Sequence, residues 1–199
     1  MAGSAARVGI LALQGDVVEH ERMLGALGAE TIRVRRPEEL ERIDGLVLPG
    51  GESTTIDKLL RAFGLRDRLA DLIRSGLPVY GTCAGLILLA DRLVDGAADQ
   101  QTLGGLDVTV RRNAFGRQSE SFETDLEVRE LGDPPVRAAF IRAPVVEEVG
   151  PSARALAALP DGRVVAVEQG AILGTSFHPE QTGDPRLHER FLARAAQRS

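Results

Sequence analysis

The chain has 199 residues, of which 43% are hydrophobic and 27% charged, as in an ordinary globular protein. Its formal net charge of −5 leaves no basic excess to neutralise phosphates, which argues against a nucleic-acid binder. A single cysteine excludes an internal disulfide. No apolar run approaches the ~18 residues of a membrane helix, and the amino terminus lacks the apolar core of a signal peptide. We therefore expect a cytoplasmic protein without a membrane partner.

The first half of the chain alternates strand and helix patterns. A continuous apolar run at residues 8–13 predicts a strand buried on both faces. Asp16 is a candidate N-cap for the following helix, whose apolar spacing ends at Gly28. Further patterns predict strands at residues 31–34, 45–48 and 77–80, a helix with Ile56, Leu59, Leu60 and Phe63 on one face, and a helix at residues 65–73. Such alternation predicts a parallel sheet that binds ligands beyond the carboxyl ends of its strands.

The second half carries shorter strand patterns separated by turns rich in glycine, proline and aspartate. These predict antiparallel hairpins that extend the sheet, with strands at residues 108–110, 122–128, 136–141, 163–167 and 172–177 and a final helix at residues 185–197. No linker or repeat divides the chain, so one domain over residues 1–199 is expected. The predicted fold class is α/β: a three-layer protein with a mostly parallel central sheet flanked by helices and with antiparallel strands in the second half.

The only cysteine lies in a tight strand-to-helix turn. Cys83 follows the predicted strand at residues 77–80 and stands within the segment Gly81-Thr82-Cys83-Ala84-Gly85. Small neighbours allow a sharp bend that exposes the turn side chain at the sheet's carboxyl edge. There the amino end of the next helix favours the thiolate. Although a lone cysteine is usually a small buried hydrophobe, this turn makes Cys83 a candidate nucleophile.

A base and an orienting carboxylate follow near the other end of the chain. Because His178 precedes Pro179, it is biased toward extended backbone. Alternate side chains of an extended segment point the same way, so Glu180 is expected to orient the His178 imidazole. If that strand neighbours the Cys83 strand, the three side chains form a nucleophile, base and orienter. Taken singly, His178 and Glu180 would more often be structural.

A glycine turn supplies the third element of the predicted site. Gly50 and Gly51 follow the strand at residues 45–48 and come just before a helix. Their backbone amides, together with the amide of Ala84 after the nucleophile, are candidate donors to a developing oxyanion.

Together these segments resemble the class I (triad) glutamine amidotransferases, whose fold is flavodoxin-like. Within that family the chain is similar to the glutaminase subunits of pyridoxal 5′-phosphate synthases. The cysteine turn and the His-Pro-Glu segment fit any triad glutaminase. The segments at residues 112–118 and 141–144 are the ones that indicate this subfamily. The matching segments are residues 13–15, 19–20, 48–55, 81–89, 112–118, 140–144 and 176–180.

The resemblance implies a role for each matching residue. Cys83 would attack the amide carbon of L-glutamine, His178 would carry the proton, and Glu180 would hold the imidazole. The glutamine site would be lined by Gly51, Glu52, Ser53, Arg112, Ile141 and Arg142. For Arg112 and Arg142 a surface salt bridge is the plainer alternative.

The resemblance also implies a partner. Ammonia would pass to a barrel-shaped pyridoxal 5′-phosphate synthase subunit in a hetero-oligomeric complex, with Gln14 and the helix near Val17 as candidate contacts. No metal site or cofactor is expected, since the three histidines show no ligand spacing with the cysteine. Three alternatives remain open: a glutaminase of another biosynthetic amidotransferase, a non-catalytic regulatory protein of the same fold, and a flavodoxin-like thiol sensor or chaperone.

Overall fold

A computed structural model of the protein describes residues 5–112 and 121–198. Ten strands form one sheet, and two more form a separate antiparallel pair. The strands are β1 (Arg7–Leu11), β2 (Glu30–Val34), β3 (Gly45–Leu48), β4 (Val79–Thr82), β5 (Ala90–Val94), β6 (Leu106–Arg111), β7 (Phe122–Leu126), β8 (Val136–Phe140), β9 (Val145–Val149), β10 (Arg154–Ala158), β11 (Val164–Gln169) and β12 (Ile172–Thr175).

The large sheet runs in the order β2-β1-β3-β4-β12-β11-β9-β6-β5, with β10 paired to β11. Strands β1 to β4 pair in parallel, as the alternating first half predicts. Strand β12 adds to β4 in parallel with Thr175 opposite Thr82, and β11 then pairs with β12 in antiparallel fashion. Two distant parts of the chain therefore end at the same edge, beside each other.

Helices cover both faces of this sheet. They are α1 (Val17–Ala26), α2 (Ser53–Ala62), α3 (Arg66–Arg74), α4 (Ala84–Leu89), α5 (Pro179–Thr182) and α6 (Arg186–Ala195), and a 3-10 turn spans Pro37–Arg42. One apolar core lies under α2, α3 and α4, and a second lies under α1, α6 and the β7–β8 pair. The fold is thus the predicted three-layer α/β arrangement, with mostly parallel strands early and antiparallel strands later.

Several details differ from the expectations. The β7–β8 hairpin does not extend the large sheet but forms its own sheet, packed through Phe140 against Phe177. Strands β5, β9 and β10 lie where no strand was predicted. Phe63, expected on the inner face of α2, is 53% exposed because the helix has ended there and Phe63 is its C-cap.

Within residues 5–112 and 121–198, no helix combines the length and the apolar character needed to cross a membrane.

Candidate active site

Cys83 occupies the bend between β4 and α4. Its φ of +49° lies in a region that non-glycine residues rarely adopt, a strain of about 1–3 kcal/mol. The neighbouring glycines are needed on steric grounds. A Cβ on Gly85 would lie 2.1 Å from the Leu48 carbonyl oxygen, and one on Gly81 would lie 2.6 Å from the Gly85 carbonyl carbon. The sharp turn predicted from the sequence is therefore present, and only glycine fits at positions 81 and 85.

The backbone brings the far end of the chain to this bend. The Cys83 N–H donates to the Thr175 carbonyl at 2.7 Å, which ties the bend to the end of β12. His178 follows three residues later, and its own N–H donates to the Ala139 carbonyl at 3.0 Å. The condition set by the sequence, that the two strands be neighbours, is met.

The three predicted catalytic side chains lie together. Cys83 lies close enough to the His178 imidazole to raise its pKa, and His178 Nδ1 lies 2.8 Å from Glu180 Oε1. All three residues are buried. Burial lowers the pKa of His178, but its contacts with Asp16, Cys83 and Glu180 outweigh this and raise the pKa above its ordinary value. Burial also raises the pKa of Glu180, and the hydrogen bond and charge of His178 offset that only in part.

The backbone between His178 and Glu180 is not the extended segment that was expected. Pro179 begins α5, with His178 as its N-cap at φ −115°. Proline suits the first position of a helix because that residue needs no N–H partner. Glu180 therefore reaches the imidazole from the first turn of a short helix, whereas His178 itself stays outside the helical region.

Asp16 is a site residue that sequence patterns indicated only as a helix cap. It holds the N-cap position of α1, yet its side chain makes no capping hydrogen bond. Its Oδ2 lies instead 3.3 Å from His178 Nδ1. No local pattern signals this contact, because it joins residues 162 positions apart that only the sheet order brings together.

The Gly50-Gly51 turn lies directly against the base. A Cβ on Gly50 would stand 2.3 Å from His178 Cε1, and one on Gly51 would stand 2.5 Å from Gln14 Oε1. Gln14 Oε1 also accepts the Glu52 N–H at 2.8 Å, and the Asp16 N–H donates to the Gly50 carbonyl at 3.1 Å. The loop before α1 thus braces the turn whose amides, with that of Ala84, are the predicted oxyanion donors.

Glu52 and Arg112 contact each other at the rim of the site. Arg112 Nη2 donates to Glu52 Oε1 at 2.9 Å, while Glu52 also caps α2 by accepting from the N–H groups of Thr54 and Thr55. Burial opposes ionisation of Glu52, but hydrogen bonds from Thr55 and Thr54 lower its pKa to about 2. The salt bridge foreseen as the plainer alternative for Arg112 therefore exists, and it lies beside the glycine turn.

Gln100 is a second residue that sequence reasoning missed. Its Oε1 accepts from Arg112 Nη1 at 2.8 Å, and its Nε2 donates to the buried Ser53 hydroxyl at 3.0 Å. The Ser53 hydroxyl is thereby engaged within the protein, and Gln100 fixes Arg112 against α2.

The remaining predicted binding residues follow β8. Ile141 is 45% exposed, and Arg142 has a φ of +47°. Because the His178 N–H bonds to Ala139 near the end of β8, both residues lie close to the same edge. Of the predicted segment at residues 112–118, only Arg112 belongs to the described part, and residues 113–118 lie outside it.

One group of donor atoms has metal-like spacing in the described part of the chain. Ligand atoms of Asp16, His178 and Glu180 lie within 4.8 Å of one another. The same atoms form the imidazole–carboxylate contacts described above, which is the arrangement of a base with its orienting partner.

Comparison with known proteins identifies the family. The family model of the SNO glutamine amidotransferase family matches residues 10–197. The chain belongs to the SNO glutamine amidotransferase family. Two similar members are named pyridoxal 5′-phosphate synthase subunit PdxT. That of Leifsonia xyli is 66% identical over 98% of both chains, and that of Clavibacter michiganensis is 64% identical over 96% of this chain and 95% of its own.

Two solved structures share the fold. A crystal structure of glutamine amidotransferase is 51% identical, with a TM-score of 0.88 over 94% of this chain and 98% of that one. A GMP synthase chain from Thermoplasma acidophilum has a TM-score of 0.66 at 20% identity, over 97% of this chain and 95% of that one, which shows a common fold alone.

Proposed function

We propose that this chain is the glutaminase subunit of a pyridoxal 5′-phosphate synthase, which hydrolyses L-glutamine to L-glutamate and ammonia for vitamin B6 biosynthesis. The observation that carries the proposal is the meeting of three buried side chains at one sheet edge: Cys83 is tied to the end of β12 by its N–H bond to the Thr175 carbonyl, and His178, three residues after Thr175, has its Nδ1 2.8 Å from Glu180 Oε1. Membership of the SNO glutamine amidotransferase family and the shared name of the relatives support the same activity.

In the first half-reaction the thiol proton of Cys83 passes to His178. The sulfur forms a bond to the side-chain amide carbon of glutamine. The negative charge that develops on the amide oxygen is stabilised by hydrogen bonds from the backbone N–H groups of Gly50, Gly51 and Ala84. The carbon–nitrogen bond then breaks as His178 gives its proton to the leaving nitrogen. Ammonia departs, and a glutamyl thioester remains on Cys83.

In the second half-reaction water attacks the thioester and gives a proton to His178. The carbon–sulfur bond breaks, the sulfur recovers the proton, and glutamate leaves. Glu180 holds the imidazole through Nδ1, so that Nε2 faces the reacting atoms in both steps. The balance is one glutamine and one water consumed for one glutamate and one ammonia.

The amino acid is held by charges at the rim. Arg112 and Glu52 have the charges needed for its carboxylate and ammonium groups, and Gly51, Ser53, Ile141 and Arg142 complete the proposed site. Because Arg112 and Glu52 neutralise each other at 2.9 Å, binding of glutamine exchanges this internal pair for two pairs with the substrate.

A synthase partner follows from the chemistry of the product. Ammonia is mostly protonated in neutral water, as amines are, and is then no nucleophile, so its use requires direct transfer to a second active site. We place that site in the barrel-shaped synthase partner, and we assign residues 1–199 to one cytoplasmic glutaminase domain. Gln14 and α1 would contact the partner, because Gln14 already braces the glycine turn that serves as oxyanion hole.

Ammonia release from glutamine, measured with and without the synthase partner, tests the proposal. We expect weak release alone and strong release in the complex, and a loss of roughly 10⁴-fold or more in Cys83→Ser, as when a catalytic nucleophile is removed. Unchanged release in Cys83→Ser would refute the assignment of the nucleophile. Equal rates with and without the synthase would refute activation by the partner.

A further inference from the structure

Behind the three catalytic side chains lies a row of buried polar groups that the mechanism does not use. His20 of α1, Thr82 of β4 and His188 of α6 are all 0% exposed. His188 Nε2 lies 2.9 Å from His20 Nδ1, and His20 Nε2 lies 3.2 Å from Thr82 Oγ1. The same His20 Nε2 is 3.6 Å from Glu180 Oε1. The row therefore leads from α6 to the carboxylate of the catalytic group.

Both imidazoles in this row are neutral near pH 7. Burial, together with the charges of His188 and His178, holds the pKa of His20 well below its ordinary value. Burial likewise lowers the pKa of His188 to about 4, although Asp184 acts in the opposite direction. Each ring then carries one N–H, and the position of that hydrogen decides which way every contact in the row points.

The environment of His188 Nδ1 determines which nitrogen donates and which accepts in each hydrogen bond of the row. Its Nδ1 is buried and has no hydrogen-bond partner among the described residues. An orphaned N–H in a protein interior is rarer and costlier than an unfilled acceptor, so the hydrogen belongs on Nε2. His188 Nε2–H then donates to His20 Nδ1, which leaves the hydrogen of His20 on Nε2.

The reverse arrangement is unfavourable at the other end as well. It would place the lone pair of His20 Nε2 3.6 Å from the Glu180 carboxylate, whereas in the assigned tautomer the Nε2–H donates to Thr82 Oγ1 at 3.2 Å and leaves the positive N–H group beside that carboxylate. Tyr80 restrains both rings, since it packs edge-on against His188 at 5.2 Å and against His20 at 6.5 Å between ring centroids. The row is thus a fixed chain of donors that ends at Thr82 and passes beside Glu180.

We propose that His20 is a positioning residue of the glutaminase site: its Nε2–H group, fixed by His188 and Thr82, lies beside the Glu180 carboxylate and favours its ionised form in the orientation that meets His178. This inference rests on the proposed function. Glu180 needs such help because its second oxygen, Oε2, is buried and lacks a hydrogen-bond partner in the described part of the chain. The titratable groups that face this carboxylate from neighbouring elements include His178, His20, Tyr80 and, by its charge, Asp16.

The tautomers can be read directly in the wild-type protein without substrate. The sequence has only three histidines, so ¹⁵N resonances of the labelled rings can be assigned by through-bond correlation. We expect a protonated Nε2 and a bare Nδ1 on both His20 and His188. A hydrogen on Nδ1 of either ring would overturn the inference. An inactive wild type would overturn the proposed function instead, so the two failures are distinguishable.

Two matched substitutions test the positioning role in the glutaminase–synthase complex. His20→Asn keeps a polar group toward His188 but loses the donor that lies between Thr82 and Glu180, whereas His20→Gln places an amide nitrogen near the lost Nε2. We expect kcat to fall roughly ten- to hundredfold in His20→Asn with unchanged KM. This is the range found when an outer group that orients a functional side chain is removed. His20→Gln should recover to within about threefold of the wild type because its amide is also a donor.

A spectroscopic readout separates positioning from packing. The Nδ1 proton of His178, which lies in the contact with Glu180, should shift in His20→Asn and return toward its wild-type position in His20→Gln. Equal losses of kcat in the two variants, or an unshifted His178 proton in His20→Asn, would overturn the inference.

Discussion

Replacing Gly50 by alanine should disable the site without unfolding the protein. The new Cβ would lie 2.3 Å from His178 Cε1 and 2.8 Å from Asp16 Oδ2, whereas ordinary contacts begin at 3.4 Å. Gly50 is not among the residues with positive φ, so alanine can adopt its backbone conformation. The clash therefore falls on the His178 imidazole and on the Asp16 carboxylate beside it. The imidazole must move by roughly 1 Å, and a displacement of that size can cost about 10²-fold in rate.

The assay compares ammonia release by Gly50→Ala with that of the wild type and of Gly25→Ala, each measured without the synthase partner, so that a change on α1 cannot act through the proposed interface. Gly25 is an exposed residue of α1, and a Cβ there would meet nothing within 4 Å. This control should keep full activity and gain about 0.5–1 kcal/mol of stability, as alanine does over glycine in a helix. A Gly50→Ala enzyme that stays folded and retains activity within twofold of the wild type would refute the reasoning, because the base would then not lie against the glycine turn.

Two further predictions concern charges around the site. Asp16→Asn removes a carboxylate 3.3 Å from His178 Nδ1, so the pKa of His178 in an NMR titration should fall by about one unit; an unchanged value would show that Asp16 does not act on the base. Glu52 has its pKa lowered to about 2 from 4.5, so its ionised form stabilises the fold fully above pH 4.5, and this contribution is lost as the pH falls toward 2. The difference in Tm between the wild type and Glu52→Gln should therefore close over that range, and a difference independent of pH would contradict the assignment.

Features that depend on local steric rules could be predicted from the sequence. The bend at Cys83 needs small neighbours on both sides. Gly81 and Gly85 lie within two residues of Cys83 in the sequence, so the bend can be predicted from this short segment alone. The contact between His178 and Glu180 was also predicted, although the backbone that produces it is helical rather than extended. Proline at the first helical position and proline after an extended residue give the same sequence signal, so the pattern alone could not separate them.

Contacts between distant elements could not be predicted in this way. The sequence indicates Asp16 only as a helix cap, and it indicates His20 only as part of the matching segment at residues 19–20. Their contacts with His178 and Glu180 depend on the placement of β12 beside β4, a pairing between strands about 90 residues apart in the chain. The prediction that Phe63 lies on the inner face of α2 is wrong for a different reason. The helical pattern of apolar residues continues to Phe63, but α2 ends one residue earlier.

The account depends most on Cys83 acting as a nucleophile assisted by His178. The most direct measurement uses a glutamine analogue with an electrophilic carbon in place of the side-chain amide and locates the covalent adduct by mass spectrometry. We predict a single adduct on Cys83, formed in step with the loss of activity, and labelling at least about tenfold slower in His178→Asn. Full inactivation with Cys83 unmodified, or labelling at the same rate without the imidazole, would contradict the account.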